Sequence, residues 1–154
     1  MATIPFHLHP QRAELLARGP EMAREVLARA GRDGKPSGCL VDVDAALRVF
    51  SLLAEHEDVG GIRAAIVNDS HFFAYSVGPM WFNPLEPWLL EQFFMRVGRG
   101  STSQALADIE QMGRDLGCKG VLMATSLAAN DEALGRLLAR FGYAPQSSQH
   151  YKDL

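Results

Sequence analysis

A pair of β-rich segments around a short turn is the feature of this sequence that most constrains its fold. Residues 61–78 contain two such runs, one on each side of the sequence NDSH at residues 68–71. Asparagine and aspartate tolerate the turn conformations that close a hairpin, so the pattern predicts two adjacent antiparallel strands. A chain with a hairpin here departs from the strict strand–helix alternation of a doubly wound dinucleotide-binding fold.

Upstream of the hairpin, apolar spacing predicts helices and one strand. Residues 12–30 have a helical pattern with a break at Gly19–Pro20, where proline can begin a second helix because its missing N–H is harmless in a first turn. Residues 39–43 predict a short strand. Asp44 can then cap a helix that continues to about His56.

Downstream of the hairpin, residues 79–87 hold three prolines and predict a rigid loop. Residues 88–97 predict a strand that is apolar on both faces and therefore lies centrally in the sheet. Ser101, followed by Gln104 three residues later, matches a capping box, and Gly117 ends the helix that follows.

The C-terminal part predicts a buried strand at residues 120–125 and a last helix that Asn130 or Asp131 can cap and Gly142 ends. Residues 144–154 could supply an edge strand. Antiparallel strands followed by a strand–helix–strand half predict an α+β fold. We expect a mixed, mostly antiparallel sheet flanked by helices, with an extra helical segment at the N-terminus.

Composition narrows the function classes. The chain has 154 residues, enough for one domain, and its net charge of −3 and pI of 5.9 argue against a broad nucleic-acid or membrane surface. Cys39 and Cys118 indicate no disulfide scaffold and favour a reducing compartment. His7 and His9 alternate without a third ligand nearby, so no metal site is predicted. Because neither a signal-type segment nor a run of roughly 20 apolar residues occurs, we expect a cytoplasmic protein.

One junction between a strand and a helix has the features of an anion site. The stretch FMRVGRGSTSQALADIEQMG, residues 94–113, moves from apolar residues through glycines and hydroxyls into a helical pattern. A helix start exposes N–H groups and a positive dipole end, which favour phosphate, and arginine adds a charge-assisted contact. Arg99, Gly100 and residues 101–103 are therefore candidates. The alternative is an ordinary strand-to-helix turn with a capping box.

From about residue 38 to its end, the sequence resembles the GNAT family of acyl-CoA N-acyltransferases. The resemblance rests on the order of elements, on the RG loop before the helix, and on NDEALGRLLARFGY at residues 130–143. That stretch is similar to a family pattern of Asn, Ala three residues later and a final Gly-Phe or Gly-Tyr. The resemblance covers roughly three quarters of the chain. It implies one domain, residues 1–154, with a core at 38–154 and an N-terminal helical extension at 1–37.

The resemblance implies acetyl-CoA as co-substrate and a set of site residues. The loop and helix start would cradle the pyrophosphate, the strand would offer backbone groups to the pantetheine arm, and a residue before the last helix would contact the cofactor. These cofactor-binding candidates are Met95, Val97, Arg99, Gly100, Ser101, Thr102, Ser103 and Asn130. Glu91 stands where the family often has its catalytic base. Other interpretations stay open: a plain helix cap for Asn130, strand core for Met95 and Val97, and an edge-facing or salt-bridged carboxylate for Glu91.

The loop departs from the family's glycine pattern in either alignment. One register matches Gly98 and Gly100 to the two glycines but leaves an apolar residue at the polar first position. A register anchored on Leu106 instead puts Ser101 and Ser103 where glycines are expected.

Two function classes follow. The first is an N-acetyltransferase that moves an acetyl group from acetyl-CoA to an unidentified primary amine. The second is a catalytically inactive GNAT-fold protein that binds a host factor or forms part of a virion, since compact GNAT-like proteins are also encoded by bacteriophages. Leu138, where many members have a tyrosine that protonates the leaving thiolate, favours the second class. So does the apolar stripe within residues 1–37, which must pack on its own sheet, on a second copy or on another partner.

Overall fold

The computed structural model describes residues 3–30, 42–80, 83–124 and 131–145. Strands and helices alternate irregularly along these ranges. In chain order they are β1 (Ile4–Pro5), a 3₁₀ helix (Phe6–Leu8), α1 (Arg12–Ala17), α2 (Gly19–Ala30), α3 (Val43–Leu53), β2 (Arg63–Val67), β3 (His71–Met80), β4 (Asn83–Arg96), α4 (Thr102–Asp115), β5 (Val121–Leu122) and α5 (Asp131–Arg140). The chain divides into two compact units, residues 1–17 with 48–123, and residues 18–47 with 124–154.

The first unit contains a sheet of five described strands in the order β1-β2-β3-β4-β5. Its strand pairs are antiparallel except for the short parallel pair of β4 and β5. The predicted hairpin is confirmed, and Asn68 and Asp69 both have a φ of 52°. This left-handed conformation is one that these two residue types adopt more readily than other non-glycine residues. The predicted α+β class with a mixed, mostly antiparallel sheet is also confirmed.

Hydrophobic clusters cover both faces of this sheet because side chains alternate along each strand. On one face Phe6, which is 0% exposed, contacts the rings of Phe50 and Phe72 at centroid distances of 5.3 and 5.1 Å. On the other face Phe73 and the α4 residue Ile109 lie in a second cluster. Helix α4 is therefore attached to the sheet by its apolar side.

The upstream predictions are confirmed in part. Helix α2 begins at Gly19–Pro20, as the proline predicted. The cap of α3 is Asp42, whose Oδ1 accepts a hydrogen bond of 2.9 Å from the Ala45 N–H. Asp44 lies in the first turn instead, so its prediction as the cap is wrong. The predicted strand at 39–43 is wrong for its last two residues, and 39–41 lie outside the described ranges.

The prediction of a loop at residues 79–87 is wrong for residues 79, 80 and 83–87, whereas residues 81 and 82 lie outside the described ranges. Strand β3 continues to Met80 and β4 already begins at Asn83, with Pro79 opposite Pro87. Strand β2 pairs with β3 only as far as Tyr75. Among the described residues, the missing N–H groups of these prolines therefore interrupt no hydrogen bonds between β2 and β3. In the described sheet β4 lies between β3 and β5 and is not an edge strand. Strand β5 covers only Val121 and Leu122 of the strand predicted at 120–125, of which residue 125 lies outside the described ranges.

The ends of the last helices follow their sequence signals. The Ser101 hydroxyl accepts a hydrogen bond of 3.2 Å from the Gln104 N–H, as the predicted cap requires. Gly117 and Gly142, with φ of 71° and 85°, lie just beyond α4 and α5. Asn130 and residues 146–154 lie outside the described ranges.

Candidate anion-binding site

The loop between β4 and α4 is held by the turn of the β2–β3 hairpin. The backbone oxygen of Ser70 accepts hydrogen bonds from the N–H groups of Val97 at 2.8 Å and Gly98 at 3.0 Å. From the same turn, the Asn68 side-chain amide donates to the backbone oxygen of Ser101 at 3.2 Å. A hairpin turn about 30 residues upstream thus fixes both ends of the loop that leads into α4.

Close contact with this turn explains two of the loop's glycines. A Cβ atom at Gly98 would lie 2.9 Å from the Asp69 backbone oxygen, and one at Gly100 would lie 2.5 Å from the Ser70 Cβ. Neither glycine has a positive φ. The loop therefore needs glycine for its approach to the hairpin rather than for an unusual backbone conformation.

The start of α4 is electrostatically positive and carries no acidic residue in its first turn. No described residue accepts a hydrogen bond from the N–H groups of Thr102 or Ser103. These groups and the helix dipole favour a negatively charged ligand. Ser101 and Gly100 are exposed, so such a ligand can reach the helix start from solvent.

Two arginines add positive charge at this point. The Arg96 guanidinium donates from Nη1 to the Gly100 oxygen at 2.6 Å and from Nη2 to the Thr102 Oγ1 at 2.8 Å. Arg99 is exposed and has no hydrogen bond or ion pair with a described residue. No carboxylate of the described chain pairs with either arginine, so the described residues leave this charge uncompensated.

A buried histidine lies behind the helix start. His71 is 2% exposed and stacks on Phe94 with a centroid distance of 4.8 Å. Its Nδ1 lies 2.7 Å from the Ser70 Oγ and its Nε2 lies 3.3 Å from the Thr102 Oγ1. Burial, and secondarily the charge of Arg96, lower the pKa of His71 to about 4. The ring is therefore neutral near pH 7, and either neutral tautomer can bond both hydroxyls.

Glu91 lies farther along β4, half-buried and paired across the ladder with Tyr75. Ala74 pairs with Phe93 while Tyr75 pairs with Glu91, so Gln92 is an extra residue that makes a β-bulge. Directly paired residues point to the same face, which puts Glu91 on the α4 side beside a phenol. Burial raises the pKa of Tyr75, which keeps that phenol protonated.

The structure brings some predicted site residues together and separates others. Arg99, Gly100 and residues 101–103 follow one another at the entrance to α4, where the backbone oxygen of Ser101 accepts a hydrogen bond from Asn68 of the hairpin turn. Met95 is buried, and the Val97 N–H already donates to Ser70. Glu91 is roughly 15 Å from Arg96 along the strand, a span that an extended pantetheine arm covers. The roles of these residues in binding and catalysis remain predictions.

The sequence interpretation missed the residues that build the site from behind, namely Asn68, Ser70, His71 and Arg96. The first three lie in a turn that was predicted correctly, but their partners in the loop and at the helix start are about 30 residues away. Only the two-arginine spacing of Arg96 and Arg99 around a glycine gave a local signal. That spacing indicates a second positive charge, but it does not indicate which of the two arginine side chains is held by hydrogen bonds.

No family model and no curated protein matches this sequence. Among solved structures, the chain is similar to an aminoglycoside acetyltransferase from an uncultured soil metagenomic sample, with a TM-score of 0.53 and 14% identity over 100% of this chain and 99% of that one. It also aligns with an acetyltransferase of Trypanosoma brucei, with a TM-score of 0.48 and 11% identity over 90% of this chain and 94% of that one.

The first of these likenesses establishes the fold: the α+β architecture is GNAT-like, as found in acetyltransferases. In the described ranges no helix is long and apolar enough to cross a membrane. No group of three or more His, Cys, Asp or Glu residues among the described ones could hold a metal ion.

Proposed function

We propose that this protein is an N-acetyltransferase that uses acetyl-CoA and acetylates a primary amine. One observation carries the proposal: on a GNAT-like fold, a helix start with free N–H groups lies beside two arginines that no described carboxylate neutralises. Positive charge gathered without a counter-charge favours a bound anion. The pyrophosphate of coenzyme A is the anion that this position on the fold suggests.

The donor set fits a pyrophosphate. The Thr102 and Ser103 N–H groups supply directional hydrogen bonds, and Arg99 supplies a charge-assisted bond that can follow the ligand because its side chain is exposed. The hydroxyl of Ser101 is already used as the helix cap. Its part in binding is therefore to keep the first turn of α4 in place.

For the chemical step we assign Glu91 as the general base. The acceptor nitrogen forms a bond to the thioester carbonyl carbon and loses a proton to the carboxylate, directly or through water. The carbon–sulfur bond then breaks and coenzyme A leaves as a thiolate, which takes up a proton from water. A thiol pKa of about 8.5 makes this leaving group a good one, so the leucine at position 138 does not prevent turnover.

Coenzyme A binding is the decisive measurement. Replacing Arg99 by alanine should weaken binding by about 1.5–3 kcal/mol, the usual range for a hydrogen bond to a charged group. Titration calorimetry on the full chain measures this directly. Arg114→Ala is the matched control, because this exposed arginine lies in the last turn of the same helix and its side chain contacts Gln111 and Glu110 of that helix.

A protein that does not bind coenzyme A at all would defeat the proposal. Binding without acetyl transfer would support the inactive, GNAT-fold binding protein instead. To separate these outcomes, acetyl transfer should be assayed with a panel of small polyamines, aminoglycosides and peptide N-termini. Aminoglycosides belong in the panel because one structural neighbour is an aminoglycoside acetyltransferase.

A further inference from the structure

Four side chains form a continuous polar chain from the interior of the hairpin to the surface of the proposed site. It runs from Ser70 through His71 and Thr102 to Arg96, with atom separations of 2.7, 3.3 and 2.8 Å. We propose that Arg96 is a second phosphate-binding residue, and that His71, acting through Thr102, is its positioning residue. This inference rests on the proposed coenzyme A site.

Arg96 is fixed in a way that Arg99 is not. Its guanidinium donates to the backbone oxygen of Gly100 and to the Thr102 hydroxyl, both at the entrance to α4. Both acceptors are uncharged, so these bonds hold the guanidinium without neutralising it. A guanidinium has more N–H donors than these two bonds use, and the remaining ones are available to an anion at the helix start.

A cation fixed at the positive end of a helix is unfavourable by itself. The helix dipole repels it, and no described carboxylate offsets that repulsion. A bound phosphate would reverse the sign of the interaction, because it would contact the guanidinium and the helix N–H groups together. The electrostatic energy of this arrangement therefore becomes favourable when the anion is bound.

Thr102 determines where Arg96 points. Arginine can only donate, so the Thr102 Oγ1 accepts from it, and the same oxygen lies 3.3 Å from the His71 Nε2. His71 cannot turn away, because it is buried and stacked on Phe94 and its other nitrogen is within hydrogen-bond distance of Ser70. The hydroxyl of Thr102 is thus held from behind, and a phosphate would be contacted by its N–H and by Arg96.

A double-mutant cycle on coenzyme A affinity tests this. Arg96→Ala should weaken binding about tenfold or more, and Thr102→Val, which keeps the shape but removes the hydroxyl, about fivefold. Because Thr102 acts through Arg96, the double variant should bind no more weakly than Arg96→Ala. Thr102→Ser restores the hydroxyl and should restore affinity to within about twofold of the unchanged protein.

His71 is tested in the same backgrounds. His71→Phe keeps the stack on Phe94 and removes both hydrogen bonds, and it should match Thr102→Val in affinity while adding nothing to Arg96→Ala. If that variant does not fold, His71→Gln replaces it; its amide can still bond the Thr102 hydroxyl, so it should bind nearly as well as the unchanged protein. A glutamine variant as weak as Thr102→Val would overturn the positioning role.

The outcomes separate this inference from the proposed function. If the unchanged protein does not bind coenzyme A, the proposed function and this inference fail together. If it binds, but the Arg96 and Thr102 effects add independently or Thr102→Ser is as weak as Thr102→Val, only this inference fails. Melting curves of all variants show whether lost affinity reflects lost folding.

Discussion

The buried imidazole of His71 should make the protein less stable as the pH falls from about 6.5 to about 4. Its pKa is lowered from 6.5 to about 4 in the folded chain, first by burial and then by the charge of Arg96. In the unfolded chain the ring takes up a proton near pH 6.5, whereas in the folded chain it remains neutral until the pH is much lower. The unfolded state therefore binds more protons in this window, and acid favours it.

The magnitude follows from the shift. Each pKa unit corresponds to about 1.36 kcal/mol, so a shift of this size is worth at most about 3 kcal/mol. Arg96 is exposed, and solvent and salt screen its share, so we expect about 2–3 kcal/mol. Stability is full above about pH 7, falls through the window and levels off once the folded ring is also protonated.

Urea unfolding of the unchanged protein and of His71→Gln across this pH range isolates the effect. The glutamine variant does not titrate at this position, whereas the carboxylates titrate in both proteins and cancel in the difference. The gap between the two unfolding free energies should shrink or reverse by about 2–3 kcal/mol from pH 7 to pH 4. Parallel curves, or an NMR titration of His71 with a midpoint near 6.5, would refute the reasoning.

Three further predictions concern the loop, the N-terminal 3₁₀ helix and the base. Gly100→Ala should destabilise the protein by about 1–3 kcal/mol in urea unfolding, since its Cβ would lie 2.5 Å from the Ser70 Cβ; no loss would contradict the close contact. Phe6→Ala should cost about 3–5 kcal/mol, whereas Leu8→Ala at a side chain 63% exposed should cost little; equal melting temperatures would contradict this. In steady-state kinetics Glu91→Gln should lower turnover while coenzyme A affinity is retained. Glu86→Gln, at an exposed ion pair, is its control. Unchanged turnover in Glu91→Gln would remove Glu91 from the mechanism.

The correctly predicted parts of the fold have signals that act within a few residues. Asn68 and Asp69 adopt positive φ in the turn, and Ser101 caps the helix that it precedes. Such signals depend on the local backbone, so a single sequence carries them. Asp42 shows the limit of this reasoning, because two aspartates two residues apart can each cap a helix and only one does.

The wrong predictions depend on neighbours in space. Pro79 and Pro87 ordinarily disfavour a strand, but here they lie on a section of the hairpin that β2 does not reach. Likewise His71 becomes part of the site only because the register of β3 and β4 puts it opposite Arg96. Register depends on which faces are buried across the whole sheet, and no local pattern near either residue specifies it.

The glycines of this loop are needed for a different reason from the one that the sequence suggests. In a phosphate-binding loop, glycine is expected where the backbone needs a positive φ beside the phosphate. If the loop needed that conformation at residues 101 and 103, the serines there would weaken the site. In the structure Ser101 has a φ of −82° and Ser103 is helical, so both have conformations that any residue adopts. Glycine is required instead at positions 98 and 100, where the loop contacts the hairpin turn. That contact brings Ser70 and His71 behind the helix start. The two glycines that match the family's phosphate loop only incompletely thus allow the packing in which Arg96 is held beside that helix start.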